Sequence, residues 1–211
     1  MVNLVPLSPA SARCPMPSLL HRLALGLALV GSVWAGGGAI AQAIPGQTVP
    51  QAEGWIRAHP TLRPAPNERL TVRKSETAAR RFIFQASQFG PGQGLAGRSR
   101  NVIRSERITL FDMINGVTVS RLEEAIRVIY GADVYSDFQL ADRIYTYPNS
   151  ESVFGNNPAV VLTGELRQGE RFGYWLETAS NPAGVTYTGR VTVLLLEDVP
   201  GLRQRLVNTV L

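Results

Sequence analysis

Residues 160–196, VVLTGELRQGERFGYWLETASNPAGVTYTGRVTVLLL, decide the fold class of this chain. Two β-forming segments, Val160–Leu166 and Phe172–Thr178, flank the turn Gln168-Gly169, and a second turn leads to a third segment, Val185–Leu196. In the third segment, apolar and polar side chains alternate: Val185, Tyr187, Val191 and Val193 against Thr186, Thr188, Arg190 and Thr192. Because this alternation is typical of a strand with one buried and one solvated face, the pattern predicts antiparallel hairpins.

The clearest helical pattern begins at a predicted capping box, Ser120-Arg121-Leu122-Glu123. Apolar residues then recur at helical spacing: Leu122, Ala125, Ile126 and Ile129. Gly131 provides the glycine that commonly follows the last turn of a helix. We predict a main helix over 120–130, a shorter helix over 133–141 and an aromatic strand over Ile144–Tyr147.

Further β-forming segments precede the main helix, at Leu70–Ser75, Arg81–Phe89 and Ile108–Met113. Asp198 is placed to cap a C-terminal helix. Strands therefore come in hairpin runs rather than in strict β-α-β alternation. We predict an α+β fold, in which an antiparallel sheet built from hairpins packs on one main helix, about residues 120–130. A β-sandwich with added helices is the alternative.

The first 43 residues have the order of a secretory signal peptide. A basic residue precedes the apolar run Leu23–Ala35, and the small-residue site Ala41-Gln42-Ala43 follows it. We expect cleavage after Ala43 and export to the periplasm, the thylakoid lumen or the extracellular space. The alternative is an uncleaved membrane anchor, since Leu23–Ala41 carries no charge and has about the length that spans a bilayer.

Residues 44–69 contain five prolines, too many for one continuous helix or strand. Gln51–Ala58 is long enough for two helical turns that present Trp55. We predict a proline-rich arm that lies on the domain with Trp55 as its anchor, and a flexible spacer is the alternative. Residues 70–211 are predicted to form a single α+β domain.

Composition excludes several kinds of site. Cleavage after Ala43 removes Cys14 and leaves His59 as the last histidine, so thiol nucleophiles, disulfides, thiolate metal sites and multi-histidine metal sites are excluded. Residues 92–97, GQGLAG, match a dinucleotide-binding motif, but Arg98–Arg107 contains only two apolar residues and does not predict the amphipathic helix that this motif needs. We therefore expect no metal and no cofactor.

The charge is unevenly distributed. Residues 57–107 carry eleven basic residues and three carboxylates, whereas residues 108–211 carry eight and twelve. Four arginines stand in or after the glycine-rich loop, where they suit an anionic partner: Arg98, Arg100, Arg104 and Arg107. We expect that partner to be a protein or an anionic surface, peripheral membrane association included, and not a nucleic acid. The alternative is that the two halves neutralise each other.

Aromatic residues concentrate around the main helix and the later strands. Four of them are candidates to line a ligand groove: Tyr135, Tyr145, Tyr147 and Trp175. The alternative is that they belong to the core.

Carboxylates supply a second, catalytic hypothesis. Asp112 ends a predicted strand, and Asp133 and Asp137 stand four residues apart in a predicted helix. A pair of carboxylates can divide the acid and base roles of glycoside cleavage. The hypothesis is a small hydrolase of cell-wall or extracellular glycan that uses Asp112 with Asp133 or Asp137. Turn-capping and solvated surface charges are the alternative.

The segments Trp55–Pro60, Asp112–Gly116 and Glu124–Tyr135 resemble uncharacterised exported proteins of cyanobacteria. The resemblance implies a periplasmic or thylakoid-lumen setting, and it implies no activity and no functional residues. Taken together, the sequence predicts a non-enzymatic exported protein that binds or supports a partner through its basic 57–107 half. The hydrolase remains the alternative.

Overall fold

The computed structural model describes residues 45–91, 101–148 and 160–210. These residues lie in one compact unit and form a seven-stranded sheet with three α-helices. The elements in chain order are α1 Val49–Ala58, β1 Thr71–Thr77, β2 Arg80–Ser87, β3 Ser105–Asp112, α2 Val119–Leu140, β4 Asp142–Tyr147, β5 Val161–Gln168, β6 Phe172–Ser180, β7 Thr186–Leu195, a 3₁₀ turn Leu196–Asp198 and α3 Val199–Val210. The α+β class and the C-terminal helix are thereby confirmed.

The strand order is β1-β2-β3-β7-β6-β5-β4, and every neighbouring pair is antiparallel. Hairpins account for most of this order. The exception is the pairing of β3 with β7, in which Ile108 lies opposite Val191. This long-range pair joins the first group of strands to the last and makes one sheet.

One face of the sheet forms the main core with α1 and α2. Tyr174 shows the contact with α2, because its hydroxyl oxygen lies 3.2 Å from the carbonyl oxygen of Val134. The buried strand residues of this face alternate along the sequence as the period-two pattern predicts: Val72, Phe84, Ala86, Ile108, Phe172, Tyr174, Leu176, Val191 and Val193. From α2 the core takes Leu122, Ile126, Ile129, Tyr130, Val134 and Phe138.

The other face carries α3. A smaller cluster of buried residues joins them: Leu166, Leu194, Val199 and Leu202. Trp175, whose strand neighbours face α2, packs against this cluster. The sheet therefore has helices on both sides. Within the described ranges, none of the helices combines the length and the hydropathy needed to cross a bilayer, and the predicted signal peptide over 1–43 lies outside those ranges.

The start of α2 corrects the predicted capping box. The N-cap is Thr118, whose side chain accepts a hydrogen bond from the backbone N–H of Arg121 at 3.3 Å, and Ser120 lies inside the first turn. Serine and threonine are equally suited to capping, and the backbone turns into the helix two residues earlier than the motif indicated. Gly131 has φ 80° and interrupts the helix, which separates the two helical segments that the sequence predicted.

The segment ahead of β1 contains a true helix. In α1 the Thr48 side chain and Gln51 form a capping box, and Pro50 stands in the first turn, where its missing N–H has no cost. Ala52 and Ile56 are fully buried in the main core. Trp55 stacks on Tyr130 with ring centroids 6.4 Å apart, as expected of the predicted anchor.

Candidate anion-binding face

The structure describes two of the four predicted partner-binding arginines and gives them different surroundings. Arg98 and Arg100 lie outside the described residues, so their role stays a prediction. Arg104 is buried, and its guanidinium forms a two-point ion pair with fully buried Asp198 at 2.9 and 2.8 Å. Glu197 accepts a further bond at 2.5 Å. Because these carboxylates neutralise it, Arg104 joins β3 to the start of α3 and does not present its charge to a partner.

Arg107 lies in the middle of the sheet, on the α3-bearing face. It stands opposite Thr192, and its Nε donates to Thr192 Oγ1 at 3.4 Å. The guanidinium is half-buried, and within the described ranges no carboxylate lies within ion-pair distance of it. Burial, and then the like charge of Arg190, lower the pKa of Arg107, while Glu177 opposes that shift. Arg107 is thus a partly desolvated cation beside a second cation.

Arg190, Glu177, Tyr147 and Trp175 form a hydrogen-bonded chain beside Arg107. Trp175 Nε1 donates to the Tyr147 hydroxyl at 2.9 Å, and that hydroxyl donates to Glu177 Oε2 at 2.6 Å. The other Glu177 oxygen accepts from Arg190. The Glu177 side chain is 8% exposed, so this carboxylate is held in one position by both partners. We call Arg107, Arg190, Glu177, Tyr147 and Trp175 the arginine face.

The Tyr147 hydroxyl is fixed as a donor. Burial, and next the charge of Glu177, raise the pKa of Tyr147 well above its ordinary value, so the phenol keeps its proton. Its ring lies directly over Gly164 of β5, where a Cβ would come within 2.4 Å of the ring. Gly164 is therefore required for Tyr147 to cross the strand and reach Glu177.

The predicted aromatic groove is brought together in part. Tyr145 and Tyr147 lie side by side on β4 with ring centroids 6.1 Å apart, and Trp175 bonds to Tyr147. Tyr135 lies elsewhere, on α2, where it stacks on Phe138. Trp175 is also part of the cluster under α3, so the aromatic side chains support the arginine face more than they enclose a cavity.

Two of the candidate catalytic carboxylates, Asp112 and Asp137, accept hydrogen bonds from backbone N–H groups. Asp112 Oδ1 accepts from the N–H groups of Ile114 and Asn115 at 3.0 and 2.9 Å, and Oδ2 accepts from Arg121 at 2.9 Å. The backbone bond from Asn115, followed by the Arg121 and Ile114 bonds, lowers the pKa of Asp112 to about 2 against the opposing effect of burial. Asp112 is therefore a permanent anion that caps a turn.

Asp137 has the same kind of role at the β5–β6 hairpin. Its Oδ1 accepts from the N–H groups of Glu170 and Arg171, and its Oδ2 accepts from the Tyr174 hydroxyl at 2.7 Å. Asp133 and Asp137 line a cleft of about 590 Å³, whereas Asp112 lines a different cleft of about 440 Å³. The structure does not bring Asp112 together with either of them.

Sequence reasoning did not single out Arg190, Glu177 and Thr192. The alternation in β7 did place Arg190 and Thr192 on the solvated face, which was the available signal. Their meeting with Arg107 depends on the β3–β7 pairing, for which a lone sequence carries no local signal. Among the described residues, no three or more His, Cys, Asp or Glu side chains group as metal ligands would.

Comparison with known proteins does not add to this geometry. No family model, curated protein or solved structure matches the chain.

Proposed function

We propose that the chain is an exported, non-enzymatic binding protein that takes an anionic ligand on its arginine face. The proposal rests on the surroundings of the Arg107 guanidinium. A half-buried guanidinium beside a second cation, with no carboxylate in contact within the described ranges, is a costly arrangement unless an anion completes it.

The hydrogen-bonding groups favour a carboxylate, phosphate or sulfate. A guanidinium offers five N–H donors in a planar fork, and the described contacts of Arg107 use one, at the long distance of 3.4 Å. Arg190 is held by Glu177, and its side chain remains 39% exposed. The two arginines can therefore contact one anion from adjacent strands. Arg107 would donate its remaining guanidinium N–H groups, and Arg190 would supply a second positive charge.

The predicted catalytic carboxylates do not meet, because Asp112 lines one cleft and Asp133 and Asp137 line another, and this separation supports binding over turnover. The backbone N–H bonds to Asp112 favour its ionised form over the acid that glycoside cleavage requires. Asp137 is occupied by the N–H groups of Glu170 and Arg171. Export rests on the signal-like order of residues 1–43 and is part of the proposal.

The test is Arg107→Met, titrated with sulfate and with citrate at constant ionic strength and followed by backbone NMR. In the wild type we expect shift changes at Arg107, Thr192 and Arg190, and in the variant at least about a tenfold weaker affinity, because a charge-assisted pair is lost. The matched control is Arg127→Met, which removes an exposed arginine of α2 that pairs with Glu124.

The same variant has a second readout. Removing a desolvated cation should raise the free energy of unfolding without ligand, by about 1 kcal/mol, since apolar replacements of buried charges are often stabilising. Arg127→Met should change the free energy of unfolding by less than about 0.5 kcal/mol relative to the wild type. Equal anion affinity in wild type and Arg107→Met, or shift changes confined to other surfaces, would contradict the proposal.

A further inference from the structure

The loop between β3 and α2 exposes two large apolar side chains in succession. Met113 is 59% exposed and Ile114 is 63% exposed. We call these two residues the apolar tip. Contiguous exposed apolar side chains, unlike scattered single ones, are a feature of interaction surfaces.

The apolar tip is held rigidly. Asp112 Oδ1 accepts from the N–H groups of both Ile114 and Asn115, which fixes the turn. Gly116 follows with φ 73°, and the Val117 N–H donates to the carbonyl oxygen of Thr186 at 2.9 Å. These bonds hold the backbone of the tip in place, which reduces the backbone entropy that docking would cost.

A second loop exposes an apolar side chain at the same end of the sheet. Val185, in the β6–β7 turn, is 52% exposed and directly precedes Thr186, the residue that bonds to Val117. Val119, at the start of α2, is 48% exposed. Apolar groups from two loops thus lie around one end of the molecule.

A cleft rich in basic side chains lies beside the apolar tip. A cleft of about 440 Å³ beside Asp112 and Asn115 is lined by four cations: Lys74, Arg80, Arg81 and Arg121. The carboxylates of this cleft are Glu76 and Asp112, so the cations exceed the anions by two. Apolar side chains next to an excess of positive charge complement an anionic lipid surface, where the headgroups contact the cations and the acyl chains contact the tip.

We propose that this end of the protein docks on anionic bilayers, with Met113 and Ile114 inserted at the boundary between headgroups and acyl chains. The cations of the neighbouring cleft lie over the anionic headgroups. The proposal uses other residues than the arginine face, so the anion-binding test and the bilayer test can fail separately.

The test reads the environment of the tip itself. An environment-sensitive fluorophore is attached at Ile114→Cys in the chain that begins at Ile44, which contains no other cysteine and lacks the apolar segment Leu23–Ala41. Vesicles of phosphatidylcholine with about 30 mol% phosphatidylglycerol should shift its emission to the blue and raise its intensity severalfold, and phosphatidylcholine alone should do so far less. Leu140→Cys, 82% exposed at the other end of α2, is the matched label site and should not respond.

A second pair of variants tests the energetic role of the tip. Met113→Ser with Ile114→Ser should lower the partition coefficient onto anionic vesicles by at least about tenfold, whereas Val128→Ser with Leu140→Ser should leave it unchanged. An unresponsive label at position 114 would overturn the proposal, as would an equal response at 140. Emission changes that grow with protein concentration in the absence of lipid would also overturn it and assign the tip to a second copy.

Discussion

His59 shows at the scale of one residue how position decides the role of a histidine. Its Nδ1 accepts from the N–H groups of Thr61 and Leu62 at 3.1 and 3.2 Å. Its Nε2 lies 2.9 Å from the carbonyl oxygen of Ile129, and since a carbonyl can only accept, Nε2 carries the proton. The neutral ring therefore ties the segment after α1 to α2, and the bonds on both nitrogens leave it no basic site for catalysis.

This arrangement predicts a pH dependence of stability. Burial, assisted by the charge of Lys74 and opposed by the Ile129 bond, lowers the pKa of His59 below 6.5. The unfolded chain then takes up the proton first as the pH falls, so the stabilisation is complete above 6.5 and is lost as the pH falls through the folded pKa. Denaturant unfolding between pH 7.5 and 5.5 should show this fall in the wild type, because carboxylates, whose ordinary pKa is about 4, stay charged throughout that range.

His59→Gln is the comparison for that measurement. Glutamine keeps a polar group in place but does not titrate. The variant should therefore have a lower free energy of unfolding at neutral pH than the wild type, and that free energy should change less between pH 7.5 and 5.5. Parallel pH profiles for wild type and variant would show that His59 does not titrate in this window.

At the scale of an element, the start of α2 depends on Thr118. Thr118→Ala removes the acceptor for the Arg121 N–H and should lower the free energy of unfolding by about 1 kcal/mol. Ser120→Ala changes an exposed residue inside the first turn and should have an effect below about 0.5 kcal/mol. Thermal unfolding of the two variants distinguishes the observed cap from the predicted one, and a larger loss for Ser120→Ala would favour the capping box.

Local patterns were sufficient to predict the elements but not their partners. The alternation in residues 185–196 and the helical spacing after Leu122 are local properties, and both gave the correct element. The β3–β7 pairing and the burial of Arg104 against Asp198 join residues about ninety positions apart. In the sequence, Arg104 and Arg107 look alike because both are arginines in a basic segment. Only the packing of the chain near α3 shows that Arg104 is in a buried ion pair with Asp198, whereas Arg107 is a half-buried cation.

At the scale of the whole molecule, the segment before β1 belongs to the core. Ala52, Ile56 and Leu62 are fully buried, and Trp55 covers Tyr130. A chain that begins at residue 70 should therefore lose cooperative thermal unfolding and bind a hydrophobic dye, because the α1 side of the core is uncovered. A chain that begins at residue 44 is the control and should unfold cooperatively. Equal melting midpoints for the two chains would show that α1 contributes nothing to stability.

The strand order leaves two edge strands that could pair with strands of another molecule. β1 and β4 are the outermost strands of the described sheet, and exposed edges of this kind invite pairing with a further strand. Both carry charged residues and a break in register, between Ser75 and Thr77 in β1 and between Arg143 and Tyr145 in β4. Charges and register breaks of this kind oppose edge-to-edge pairing, so we expect the hydrogen-bonded ladder of the described sheet to end within one molecule.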